Sequence, residues 1–123
     1  MVRLGTISPY PRWDGIVNYH RAGAMSPLEH IKMRHFYSPG GYKLPRDGGP
    51  GGMFAKGTTK GDLEAYARLL HREGVHTRLS DGSWSITGKL HGKIAGRNID
   101  GKRTSVIEMI IDKNGLIRTM FPK

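Results

Sequence analysis

The chain has no cysteine, which excludes disulfides, zinc–thiolate centres and thiol catalysis, while suiting either redox environment. It is also short of acid, with ten Asp and Glu against twenty Lys and Arg. Carboxylate pairs for hydrolysis and acidic clusters for hard cations therefore have little to be built from. No His-Glu-x-x-His run appears, and His30 and His35 stand five apart rather than the four that places two ligands together on a helix. No catalytic metal and no cofactor are expected. A zinc deaminase is disfavoured because its signature is missing. No stretch approaches the ~20 apolar residues that span a bilayer, and Met1-Val2-Arg3-Leu4-Gly5-Thr6 has no signal-peptide apolar segment. No membrane insertion is expected.

What is present is positive charge. The 123 residues carry a net +10, with the basic residues spread along the chain rather than gathered in a tail. Such a field favours polyanions, nucleic acid first. The length suits one domain with one modest core, and 18 Gly with 7 Pro make much of it loop.

Residues 1–25, broken by Pro9, Pro11, Gly15 and Gly23, read as an irregular N-terminal arm. Ser26-Pro27-Leu28-Glu29 is a helix start, with Ser as N-cap, Pro at the first turn and Glu three residues on. That helix is expected to end near His35 or Phe36. A Gly/Pro-rich loop follows over 37–57. Its Gly48-Gly49-Pro50-Gly51-Gly52 run is no P-loop, since the Gly-Lys-Ser/Thr tail is absent. Thr59 with Asp62 caps a second helix over 60–73, whose Leu63, Tyr66, Ala67 and Leu70 share a face, and Gly74 is its C-cap. From Val75 the period changes to two. Candidate strands are Val75–Leu79, Trp84–Ile94, Thr104–Asp112 and Leu116–Phe121, with turn dipeptides at Asp81-Gly82, Asp100-Gly101 and Asn114-Gly115. The segment 106–111 reads as the central strand. The expected fold is α+β: a helical part over 26–74 packed on an antiparallel four-stranded sheet over 75–123.

Metal-free RNA cleavage needs a base for the ribose 2′-hydroxyl, an acid for the leaving 5′-oxygen, and cations or hydroxyls for the phosphorane. Histidine suits the first two roles. His30 and Arg34, four apart, share a helical face, with His35 between faces; the plainer alternative is a merely basic helix with His35 near its own C-terminus. Lys56 and Thr58 precede the second helix, where a phosphate would also meet free N–H groups; Thr59 reads as a cap. On alternation, Lys89, His91 and Lys93 share a strand face, which suits either RNA or solvent. Arg97, Lys102, Arg103 and Arg118 complete the candidate RNA-binding set. His71 and His76 read as structural or solvent-exposed. Alternation places Thr119 with Ile117 and Phe121.

Three runs carry a resemblance: Glu29-His30-x-x-x-Arg34-His35-Phe36, Met53-Phe54-x-Lys56-Gly57-Thr58-Thr59, and Gly115-x-Ile117-x-Thr119-x-Phe121-Pro122. Over about residues 28–122 the chain resembles the C-terminal toxin domains of contact-dependent growth inhibition and related polymorphic toxin systems. More narrowly it is similar to the barnase/EndoU/colicin/RelE group of small ribonucleases. The resemblance implies helices on an antiparallel sheet with the cleft between them, and metal-independent cleavage, of tRNA in several members, leaving a 2′,3′-cyclic phosphate. It implies His35 and His30 as acid and base, with Arg34, Lys56 and Thr119 on the phosphorane. It also implies release from a secreted or cell-surface toxin, action in the target bacterium's cytoplasm, and a cognate immunity protein, acidic by charge complementarity. A host translation factor as activator stays open. The competing expectation is a non-catalytic basic RNA-binding module.

Overall fold

Residues 8–19, 23–37 and 52–123 are described by the structure, a computed structural model. Both helices start at the capping boxes. In α1 (Pro27–His35) the Ser26 hydroxyl accepts the Glu29 N–H while Glu29 accepts the Ser26 N–H. In α2 (Lys60–Glu73) Thr59 and Asp62 do the same. Each box satisfies two N–H groups that the helix itself leaves without acceptors. Gly74 is the C-cap of α2 in an extended conformation, not the left-handed one expected of a capping glycine. Its need for glycine is steric, since a Cβ there would lie 2.6 Å from the Leu70 carbonyl oxygen and 2.8 Å from that of Thr87.

The strands are β1 (Val17–Tyr19), β2 (Gly23–Met25), β3 (Met53–Phe54), β4 (Val75–Arg78), β5 (Trp84–Lys89), β6 (Gly96–Arg97), β7 (Arg103–Thr104), β8 (Val106–Ile111) and β9 (Ile117–Pro122). The expected four-stranded antiparallel sheet forms in the order β4-β5-β8-β9, with β8 internal. Ile86, Ile107, Met109, Ile111, Ile117 and Met120 are fully buried, and α2 lays Leu63, Tyr66, Ala67 and Leu70 into the same core. Leu70 approaches the sheet where β5 carries Gly88; a Cβ there would sit 2.5 Å from Leu70 Cδ2.

Three parts of the architecture depart from the sequence reading. The strand expected over 84–94 ends at Lys89, because Gly92 takes a left-handed φ of 64° and turns the chain away. The chain then enters a second antiparallel sheet, β3-β6-β7, which the short runs 53–54, 96–97 and 103–104 were too brief to announce. The arm is not wholly irregular either. It contains the β1–β2 hairpin, and Arg12 makes a parallel bridge to Leu116 through Arg12 N–H to Gly115 O (2.8 Å) and Ile117 N–H to Arg12 O (3.0 Å). That bridge covers the start of β9's outer edge. Most of the expected 37–57 loop, residues 38–51, lies outside the described residues.

The register of β8 with β9 shifts once. Ile110 faces Thr119 but Ile111 faces Ile117, so Arg118 is an extra, bulged residue. Beyond it the alternation restarts: Met120 joins Met109 on the buried face, while Thr119 and Phe121 lie on the opposite face with Ile110 and Glu108. Thr119 thus keeps Phe121 as a face-mate, as expected, but parts from Ile117. No helix among the described residues is long and apolar enough to cross a membrane.

The β3–β6 contact tolerates no side chain at Gly96, where a Cβ would fall 2.1 Å from the Met53 carbonyl oxygen and 2.8 Å from Phe54 Cα. Gly96→Ala is expected to lower stability by about 1–3 kcal/mol or to abolish folding. Gly61→Ala, whose methyl would meet Thr59 Oγ1 at 3.7 Å, is expected to raise stability by about 0.4–1 kcal/mol. Urea unfolding midpoints of the two variants check both signs.

Candidate active site between the first helix and the last strand

Helix α1 packs against β9 and β3, and its histidines point into that seam. His30 Nε2 is hydrogen-bonded to Thr119 Oγ1 at 3.1 Å, joining residues 89 apart in sequence. One turn on, the His35 Nδ1–H donates to the Gly52 carbonyl at 2.8 Å. Gly52 N–H in turn donates to the Pro122 carbonyl at 3.1 Å, so one residue ties α1 to the end of β9. The imidazoles meet edge-to-face with centroids 5.7 Å apart, and the Phe121 ring lies 5.4 Å from His35 on the other side. The bulge at Arg118 is what aims both Thr119 and Phe121 at α1.

Both rings are secluded: His30 is 7% exposed and His35 2%. Burial pushes the His30 pKa down to about 4, with the Arg34 guanidinium adding to the shift. Burial likewise pushes His35 down to about 4; the Gly52 carbonyl opposes this, and His30 and Arg34 reinforce it. Both imidazoles are therefore neutral at pH 7. His30, bonded to a half-buried hydroxyl, is the ring closer to solvent, and it has the right form to accept a proton. His35 sits behind it with Nδ1 committed to backbone, which suits orienting the seam.

The structure brings His30, Arg34, His35 and Thr119 together. Lys56 is exposed in the turn between β3 and α2, where Thr58 bonds back to Ala55 through both its N–H and its hydroxyl. Two contributors were not legible in sequence. Gly52 acts through its carbonyl, which no side-chain pattern announces, and Phe121 reads as one more apolar strand residue until the bulge turns it.

The seven candidate RNA-binding residues do not form one face. His91 is not mid-strand: it lies in the bend after β5, exposed, with Nε2 2.9 Å from Glu73 Oε1. Lys93 Nζ lies over the Tyr66 ring, 5.4 Å from its centroid. Arg118 pairs with Asp81 at 3.5 Å, at the opposite end of the sheet from Lys89. Arg97 and Arg103 face each other directly across β6–β7. The Arg97 guanidinium donates to the Gly101 carbonyl at 3.0 Å, and Lys102 and Arg103 are exposed. Like charges so placed disfavour the ladder.

His71 and His76 have structural work. The His76 Nε2–H donates to the His71 carbonyl (2.9 Å), which leaves Nδ1 to accept from the Ser8 hydroxyl (2.6 Å). The His71 Nε2–H donates to the Ser8 carbonyl (3.2 Å), closing a ring that pins the arm. No three His, Asp or Glu among the described residues are grouped to hold a metal. Comparison with protein-family models, with curated proteins and with solved structures finds no match.

The seam makes stability sensitive to acid. With folded pKa values near 4 against roughly 6.5 unfolded, the unfolded chain binds more protons across that interval, so stability falls as the pH drops from about 6.5 towards 4. The effect levels off above about 7 and is on the order of 3 kcal/mol at full extent for the deeply buried His35 and smaller for His30. Urea midpoints between pH 5 and 6.5 read it above the range of the capping carboxylates, which their backbone hydrogen bonds hold below their ordinary values. His35→Phe is expected to flatten the slope in that window, and an unchanged slope counts against the assignment.

Proposed function

We propose that this domain is a metal-independent RNA endonuclease directed at tRNA, used as a toxin between competing bacteria. The observation that carries the reading is the 3.1 Å His30–Thr119 contact, with Arg34 one helical turn away, in a chain of net charge +10. Neutral His30 takes the proton of the 2′-hydroxyl, and the alkoxide attacks the adjacent phosphorus. The bond to the 5′-oxygen breaks, a 2′,3′-cyclic phosphate forms, and the imidazolium returns its proton to the leaving oxygen. Thr119 and Arg34 donate to the non-bridging oxygens as charge builds there. His35 is a positioning residue that holds the His30 ring and the Gly52 backbone, and Lys56 meets a phosphate along the strand.

The toxin reading rests on the resemblance of the three motif runs. It carries with it release from a secreted or cell-surface protein, action in the target cell's cytoplasm, and an acidic immunity protein attracted by the basic surface. A host translation factor is compatible with the same surface.

One observation favours a second reading, a non-catalytic RNA-binding module: side chains 7% and 2% exposed are placed as structural groups are. Incubation with total bacterial tRNA in EDTA separates the two. Discrete fragments with cyclic phosphate ends are expected from the native chain. His30→Ala should lower the rate by roughly 10²–10⁴ and Thr119→Val by about 10². Undiminished cleavage by His30→Ala would sink the mechanism, and intact RNA that shifts on a gel would favour the module.

A further inference from the structure

After β5 the chain arches. Leu90 N–H donates to the Ser105 carbonyl (2.9 Å) and Ala95 N–H to the Thr104 carbonyl (2.8 Å), so both feet of the arch are stitched to the β7–β8 connection. Between the feet lies a recess of about 340 Å³ lined by Lys89, Leu90, Gly92, Lys93, Ile94 and Ser105. Its volume sits at the lower end of small-ligand sites, roughly 300–1,000 Å³. Leu90, 5% exposed, is an apolar floor, and Ile94 is a large hydrophobic left 40% exposed at the side. Two ammonium groups flank them. Lys93 is steadied over the Tyr66 ring, and Asp62, the carboxylate within its electrostatic reach, is already engaged by the Thr59 N–H. Lys89 is exposed. Ser105 adds a hydroxyl, and two residues before it Arg103, opposite Arg97, continues the line of cations.

An apolar floor with an apolar side, a hydroxyl and two flanking cations match one unstacked nucleotide: a base against Leu90 and Ile94, its phosphates on Lys89 and Lys93. A base paired within a duplex stays stacked and presents phosphates alone. We propose that this recess is a nucleotide subsite of the RNA-binding surface, sharing no residue with the histidine seam, which selects single-stranded over duplex RNA. The proposal rests on the RNA reading above but not on cleavage.

The test is fluorescence anisotropy with a 2′-O-methyl hexanucleotide, which has no free 2′-hydroxyl and so cannot be cleaved, alone and within a duplex. The native chain is expected to prefer the single strand. The double variant Lys89→Gln, Lys93→Gln should lose on the order of tenfold in affinity, and its log–log salt slope should shrink by about 1.4, at ~0.7 per single-strand phosphate contact. Ser105→Leu, which fills the recess without touching charge, should weaken binding with the slope unchanged. Thermal melts confirm that each variant is folded. Binding unchanged in both recess variants, equal affinity for duplex and single strand, or no binding by the native chain each overturns the subsite. Cleavage of tRNA by the native chain with recess-independent binding would overturn the subsite and leave the histidine centre standing. Recess-dependent binding without cleavage would do the reverse.

Discussion

The docking of α1 on β9 depends on one extra residue. Without the bulge at Arg118, strict alternation would leave Thr119 on the buried face with Ile117 and Ile111, and Met120 on the other. The shift instead keeps Met120 under α2's side of the sheet and hands Thr119 and Phe121 to the helix. His30 and His35 then find, on neighbouring residues of a single strand, a hydroxyl and a ring. Gly52 locks the strand's far end to the helix's last turn by donating to Pro122 and accepting from His35. The edge of β9 is thereby bonded at its two ends, by Arg12 at Ile117 and by Gly52 at Pro122, which shortens the ladder it offers a foreign strand.

Seclusion has a chemical consequence. A ring shut away from water and set beside a guanidinium holds a single proton, and so no charge, at neutral pH. The seam's hydrogen bonds are then made in the neutral state, His30 with the Thr119 hydroxyl and His35 with the Gly52 carbonyl. Such a seam tolerates proton transfer only in passing, which is what a base acting in a transition state requires, and it is equally the state of a structural histidine.

The basic surface follows a different logic. Most of its cations sit on turns, bends and the short β6–β7 ladder, with Lys89 and Arg118 on β5 and β9 of the large sheet. Several are already restrained: His91 by Glu73, Arg118 by Asp81, Lys93 by an aromatic face. Of the candidate RNA-binding residues, Lys89, Lys102 and Arg103 are left towards solvent, and Lys89 lines the recess under the arch over 90–95.

The residues that act within a few positions of one another were legible in the sequence. Ser26 with Glu29 and Thr59 with Asp62 cap helices by contacts three residues long, and alternation over 75–122 sets four strands whose dipeptide turns leave an antiparallel meander as the simplest path. The His-Arg-His helix and Thr119 could be named, because residue type limits which groups move protons or bind phosphate. Their meeting could not be read, since it hangs on a one-residue register shift between strands and on a backbone carbonyl at Gly52, neither of which has a side-chain signature. The two-residue strands of the second sheet escaped for a related reason: they are too short to show a period and exist because Gly96 lets two backbones touch. Local chemistry wrote the elements and the cast of residues; long-range packing, which charges no single position with its information, decided which of them face each other.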